Sequence, residues 1–323
     1  IPACHAGGRG FEPRPLRHLF EGLLQRCSSP SSFVPARCAD PFCEGITAMT
    51  STSQPPLRVV ISGATGWAGS ALARGVARQS DMTLAAAVGQ RTAGRRLDEV
   101  LQLRSDGRVH ASVADALAAG GCDVYVEYAK PKAIAEVKAN ILDALDGGAH
   151  VVVGSSGLGD ADYAEIDAVA RARGRGVLAC GNFALTMVLM QKFAEMAARY
   201  IPDFEIIDYA KGSKPDAPSG TGRELAMRLG AIVQPQPQVP LDQVNGPAGV
   251  RGATVNGVQV HALRLPGFVL GIEAVFGMAD QRLHLRHEAG SGAEPYVDGA
   301  LLAIREVGGL QGVVRGLDRV MKL

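Results

Sequence analysis

From residue 57 onward the chain alternates short apolar runs with longer stretches whose apolar positions recur every three or four residues. The run at 58–62 leads into a glycine-rich segment and a helical period over 70–79, and a second strand pattern covers 83–88. Strand patterns follow at 123–127, 149–153 and 176–179, separated by helical periods over 133–146 and 162–173 and followed by one over 185–200. Apolar strands alternating with helices predict an α/β fold, a doubly wound parallel sheet whose ligands sit beyond the carboxyl ends of the strands. After Tyr200 the pattern changes. A strand at 204–209 precedes a polar turn and a helix around 225–229. Then 255–265, 268–276 and 281–287 read as successive strands, with turn signals at Pro266-Gly267 and 277–280. This predicts a second, α+β domain on a mainly antiparallel sheet. A last helix over 295–307 and the tail beyond it return to the first domain, so the expected boundaries are 57–183, 184–291 and 292–323.

Residues 1–56 show no sustained periodicity and are rich in Pro, Ser, Gly and Arg; four of the six cysteines of the 323-residue chain fall there. This leader is expected to be non-native or disordered, with Met49 as the native start. In the main body only Cys122 and Cys180 remain. That leaves neither a disulfide framework nor metal-ligand spacing, so no metal site is expected and a reducing cytoplasm is. The 33 basic and 32 acidic residues are intermixed and the net charge is +1, which gives no broad footprint for nucleic acid. No apolar run approaches the roughly 18 residues of a membrane span, so no membrane partner is expected either.

The segment Gly63-Ala-Thr-Gly66-Trp-Ala-Gly69 stands after the first strand and before the first helix. Glycines in that context let the backbone turn tightly and approach a pyrophosphate resting on the helix N-terminus, the Rossmann arrangement. Gly63, Thr65, Gly66, Ala68 and Gly69 are the expected cradle; Trp67 packs beside the cofactor or closes the turn. The second strand ends in Val88-Gly89-Gln90-Arg91, without the acid that would hold the 2′-hydroxyl of NAD. Arg91 therefore selects a 2′-phosphate, and NADPH is expected, with NADH possible. Arg95 and Arg96 read as a solvated helix face. By their places after strands, Tyr128 and Ala129, Gly154 and Ser156, and Gly181, Asn182 and Phe183 complete the crevice.

A second stretch, Lys211-Gly-Ser-Lys214-Pro-Asp216-Ala-Pro-Ser219-Gly220-Thr221, runs straight into a helical period. Asp216 or Ser219 is placed to cap that helix. Its unpaired amides, its dipole and the two lysines suit an anion, most naturally a substrate carboxylate.

Together with Tyr128-Ala-Lys-Pro131, Gly154-Ser-Ser-Gly157, Gly181-Asn-Phe-Ala184, Leu263-Arg-Leu-Pro-Gly267 and the ending Asp298-Gly-Ala-Leu-Leu-Ala-Ile-Arg305, these motifs resemble the dihydrodipicolinate reductase family over residues 57–323. The resemblance implies a cytoplasmic, homotetrameric enzyme of lysine and diaminopimelate biosynthesis that reduces a cyclic imine or unsaturated dicarboxylate with NAD(P)H. It implies that 57–183 binds the dinucleotide, that 184–291 binds substrate and oligomerises, and that Lys214, Ser219, Gly220 and Thr221 hold a substrate carboxylate. One departure stands out. The family carries a His-His pair where this chain has Ala210-Lys211, and the first histidine is regarded as general acid. Tyr209, Lys211 and Lys214 remain as proton donors. Lys211 is the first choice, because like charges held close ease proton loss; it equally suits a second carboxylate. The altered pair also leaves room for another carboxylated imine or carbonyl substrate, or for a non-catalytic homologue. His261, His284 and His287 read as histidines of strands.

Overall fold

The apolar runs become strands covered on both faces, and the alternating runs become strands covered on one. The computed structural model describes residues 55–103, 105–129, 134–247 and 249–322; the expectations for the leader, for Met49 and for Lys130 and Pro131 lie outside them. In chain order come β1 (Leu57–Ser62), α1 (Trp67–Ala77), β2 (Met82–Val88), α2 (Leu97–Leu101), β3 (Arg108–His110), α3 (Val113–Gly120), β4 (Val124–Glu127) and α4 (Ile134–Asp146). Next are β5 (His150–Val153), α5 (Asp160–Ala172), β6 (Gly176–Ala179), α6 (Leu185–Ala198), β7 (Phe204–Ala210) and α7 (Gly220–Gly230). The chain closes with β8 (Ala253–Val255), β9 (Val258–Arg264), β10 (Leu270–Met278), β11 (Gln281–Ala289), α8 (Val297–Glu306) and β12 (Gly312–Arg315).

The first sheet has the order β12-β6-β5-β4-β1-β2-β3, with every pair parallel. Along β1, Val59 and Ile61 join one core cluster with α1 and α8 residues such as Leu72 and Leu301. Val60 joins another, with α4 and α5 residues such as Ile141 and Ile166. All three are fully buried, as a two-sided parallel sheet requires. Strand order reverses between β1 and β4, where the outgoing loops diverge and leave a crevice.

The second sheet runs β11-β10-β7-β9-β8; its β7–β9 pair is parallel and the others antiparallel. Helices α6 and α7 cover one face, burying Met187, Leu225 and Leu229 against Phe204, Ile206, Ile272 and Phe276. Strand alternation sends Glu205 and Ile207 to the other face, where they border a groove of about 1330 Å³ with the Pro- and Gln-rich residues 234–239. Among the described residues no helix is long and apolar enough to cross a membrane.

Two differences from the sequence expectations have clear causes. The single strand expected at 255–265 is a hairpin of β8 and β9, with Val255 paired to Val258 across Asn256 (φ 50°) and Gly257 (φ 79°). Both turn residues take positive φ, the geometry that an Asn-Gly pair favours in a two-residue hairpin. Between Gln90 and Cys122 lie α2, β3 and α3, too short for their periodicity to stand out. In consequence Arg95 and Arg96 precede a helix instead of lying on its face, and Arg96 pairs with Asp98 at 2.7 Å. Phe276 fills the middle of the second sheet's core with no exposed surface. Phe276→Ala is expected to cost about 3–5 kcal/mol of stability, measurable by urea denaturation followed by circular dichroism.

Candidate active site

Loops leaving the carboxyl ends of β1 to β6 enclose a cleft of about 1040 Å³. Every residue expected to hold a dinucleotide lines it, from Gly63 through Arg91 and Tyr128 to Phe183. The glycine loop explains the close fit. Gly63 has φ +74°, and a Cβ there would stand 2.6 Å from the Tyr128 carbonyl oxygen and 2.8 Å from the Ala129 nitrogen. No side chain caps α1, whose N-cap is the extended Gly66, so its first-turn N–H groups are open to an anion. Trp67 is 60% exposed and meets the Tyr296 ring edge-on at 5.7 Å, so it borders the cleft instead of closing the turn from inside. Among the described residues, the buried Thr92 and Tyr128 hydroxyls have no hydrogen-bond partner, and both residues face this cleft. Burial pushes the Tyr128 phenol up, so it remains a proton-bearing donor. Uncapped helix, close glycine backbone and orphaned hydroxyls together fit a dinucleotide.

Sequence reasoning missed Glu127. This fully buried carboxylate at the end of β4 accepts hydrogen bonds from the Tyr125 hydroxyl (2.6 Å), the Ala129 N–H (2.9 Å) and the Asn140 amide (3.1 Å). Ser155 donates to the Ala129 carbonyl at 2.8 Å, so two loops of the cleft are tied together here. Burial raises the Glu127 carboxyl above the usual carboxylate range, against the pull of these hydrogen bonds. Its signal was an acid ending an otherwise apolar strand.

The lysine motif forms the loop between β7 and α7, outside that cleft. Ser219, not Asp216, is the cap: its Oγ accepts the Gly222 N–H at 3.1 Å, while Asp216 pairs with Lys214 at 3.0 Å. Ser219 itself is only 2% exposed. Its hydroxyl donates to Asp208 Oδ1 and its N–H to Asp208 Oδ2, each at 2.7 Å. The Ser219 hydroxyl and amide are thus both engaged within the protein. Gly220 and Thr221 differ: among the described residues their N–H groups have no acceptor. Lys214 is anchored by its own N–H to the Lys211 carbonyl at 3.0 Å, and Lys211 is exposed on the same turn. Asp208 and Arg264 are further residues that sequence reasoning missed. Arg264 Nη2 meets Asp208 Oδ2 at 2.7 Å and also donates to the Asp216 carbonyl. Asp208 was legible as an acid at an inward position of a strand between Ile206 and Ala210.

Tyr209, the remaining candidate proton donor, lies away from this loop. Alternation turns it to the face opposite Asp208, where its hydroxyl donates to Glu273 Oε2 at 2.7 Å. Burial and the Glu273 carboxylate push its phenol up to about 12. The histidines are engaged elsewhere: His261 with Glu205, His284 with Glu273 and His287 with Thr186. The two halves meet at Gly181 of the cleft, where an added Cβ would stand 3.8 Å from Glu224 of α7.

Two family models cover nearly all of the described chain: "Dihydrodipicolinate reductase, N-terminus" matches residues 57–183 and "Dihydrodipicolinate reductase, C-terminus" residues 186–321. The 4-hydroxy-tetrahydrodipicolinate reductase of Moorella thermoacetica is 36% identical over 267 residues, spanning 82% of this chain and 98% of that protein. That of Bacillus pumilus is 32% identical over 265 residues, with the same coverage of each chain. Among solved structures, a dipicolinate-bound dihydrodipicolinate reductase from Paenisporosarcina superposes with a TM-score of 0.74 at 27% identity, covering 82% of this chain and 100% of that one. An amine dehydrogenase from Mycobacterium smegmatis shares the fold at a TM-score of 0.59 and 17% identity, over 83% of this chain and 96% of that one.

Gly63→Ala forces a side chain into left-handed backbone against Tyr128 and Ala129. It is expected to lower stability by about 1–3 kcal/mol and to weaken NAD(P)H binding at least about tenfold, read by thermal melting and fluorescence titration.

Proposed function

The chain belongs to the dihydrodipicolinate reductase family, and from that membership we propose that it reduces 4-hydroxy-tetrahydrodipicolinate to tetrahydrodipicolinate with NAD(P)H, in lysine and diaminopimelate biosynthesis. The observation that carries this reading is the mouth of α7: among the described residues the N–H groups of Gly220 and Thr221 have no acceptor, and the loop that leads into them carries the Lys214 ammonium, paired with Asp216. A helix N-terminus with a cation next to it is built for a carboxylate. The adjoining cleft holds the dinucleotide, which supplies the hydride. The residues of this chain bind and orient. Gly63, Gly66 and Gly69 bring backbone to the pyrophosphate, and the α1 N-terminus balances its charge. Arg91, at the end of β2, takes the 2′-phosphate, so NADPH is the preferred cofactor. Lys214, Gly220 and Thr221 hold one carboxylate. Lys211 gives the proton that accompanies the hydride, or grips the second carboxylate where the family has histidine. The active form is a cytoplasmic homotetramer, with 57–183 binding the dinucleotide, 184–291 binding substrate and oligomerising, and 292–323 returning to the first domain.

The test generates the substrate in place from pyruvate, aspartate semialdehyde and the preceding synthase, and follows NADPH oxidation with NADH alongside. Turnover far above the enzyme-free rate is expected. Lys214→Ala is expected to lower kcat/KM by about a hundredfold or more, as loss of a charged hydrogen bond to an anion does; turnover at the parent's rate would remove Lys214 from the site. Arg91→Ala is expected to raise the Kd of NADPH about tenfold or more and to leave NADH nearly unchanged. Equal effects on both would overturn the preference for NADPH.

A further inference from the structure

We infer that Asp208 is a positioning residue of the carboxylate site, holding the Ser219 turn so that the amides of Gly220 and Thr221 stay free for substrate. The inference rests on the reading of the α7 mouth as that site. Asp208 is fully buried on β7, beneath the loop. One oxygen takes the Ser219 hydroxyl and the other takes the Ser219 N–H and Arg264 Nη2, all at 2.7 Å. Ser219 is in turn the cap of α7 through the Gly222 N–H. Of the first-turn donors, Asp208 and Ser219 thus consume those of Ser219 and Gly222 and leave those of Gly220 and Thr221.

A buried anion so close to an anion site would repel the ligand it helps to seat. Arg264 removes that conflict. Its guanidinium neutralises Asp208, and the same fork donates to the Asp208 carbonyl at 3.1 Å and to the Asp216 carbonyl, bracing the loop against the strand. An aspartate whose only task were to fill the core would need neither the cap nor the brace. The arrangement therefore predicts a defect in dicarboxylate binding, separate from any loss of cofactor binding or of the chemical step.

Asp208→Asn keeps the volume but removes one acceptor and turns an amide donor toward donors. It is expected to raise KM, and the Kd of dipicolinate measured by calorimetry, by about tenfold or more. The kcat should fall less than about threefold, with the Kd of NADPH unchanged. Ser219→Ala should show the same split, and the double variant should be no worse than Asp208→Asn alone, because both act through one contact. Unchanged dipicolinate affinity in a folded variant, parallel loss of NADPH affinity, or additive defects would each overturn the inference. If Asp208→Asn does not fold, Ser219→Ala decides alone: weakened dipicolinate binding with intact NADPH binding supports the role, and parental affinity overturns it. A parent protein that binds dipicolinate but does not turn over the generated substrate would sink the proposed reaction while leaving the Kd comparison decisive. One that binds no dipicolinate would overturn the positioning role as well.

Discussion

A carboxylate cut off from water has to be met by donors, and this chain uses that demand twice to fasten a loop beyond the end of a strand. Glu127 closes β4 and collects the Ala129 N–H, the Tyr125 hydroxyl and the Asn140 amide. Asp208, near the end of β7, collects the Ser219 turn and Arg264. Leaving such a group unpaired would cost several kcal/mol, so each carboxylate ties its loop to the strand that carries it. One carboxylate stands at the cleft lined by the glycine loop and the other beneath the turn that opens α7.

The N-termini of α1 and α7 are finished in different ways. Helix α1 has no side-chain cap and presents its first turn behind a glycine loop packed against Tyr128 and Ala129. Helix α7 is capped by Ser219, whose bonds engage part of the first turn and spare Gly220 and Thr221. The first suits an extended, doubly charged pyrophosphate that needs several amides. The second leaves two amides and suits a smaller anion.

The Ala210-Lys211 pair changes what the end of β7 can do. Ala210 is fully buried and carries no proton to give, and Tyr209 is turned to the opposite face and bound to Glu273. The cations of the loop are its lysines, of which Lys214 is held by Asp216 and Lys211 stands exposed.

Much of this protein is determined locally and was legible as such. Val59 to Ile61 and Val151 to Val153 are unbroken apolar runs because both faces of a parallel strand are covered, and the Gly63 to Gly69 spacing follows from a turn that must pass close to another backbone. The Asn256-Gly257 hairpin was equally local, readable from turn chemistry, although two short strands passed as one. The motif from Lys211 to Thr221 offered donors suited to an anion, but it could not say which of them are free. That was decided by tertiary structure: Asp208 and Arg264, 11 and 45 residues from Ser219, meet the loop only when β7 and β9 pair in parallel. The same pairing and its alternation set Tyr209 apart from the site and Ala210 beside Asp208's loop. Sequence determines which groups a segment can offer; the partners that use some of them up come from distant strands, and only the folded sheet brings those partners within reach.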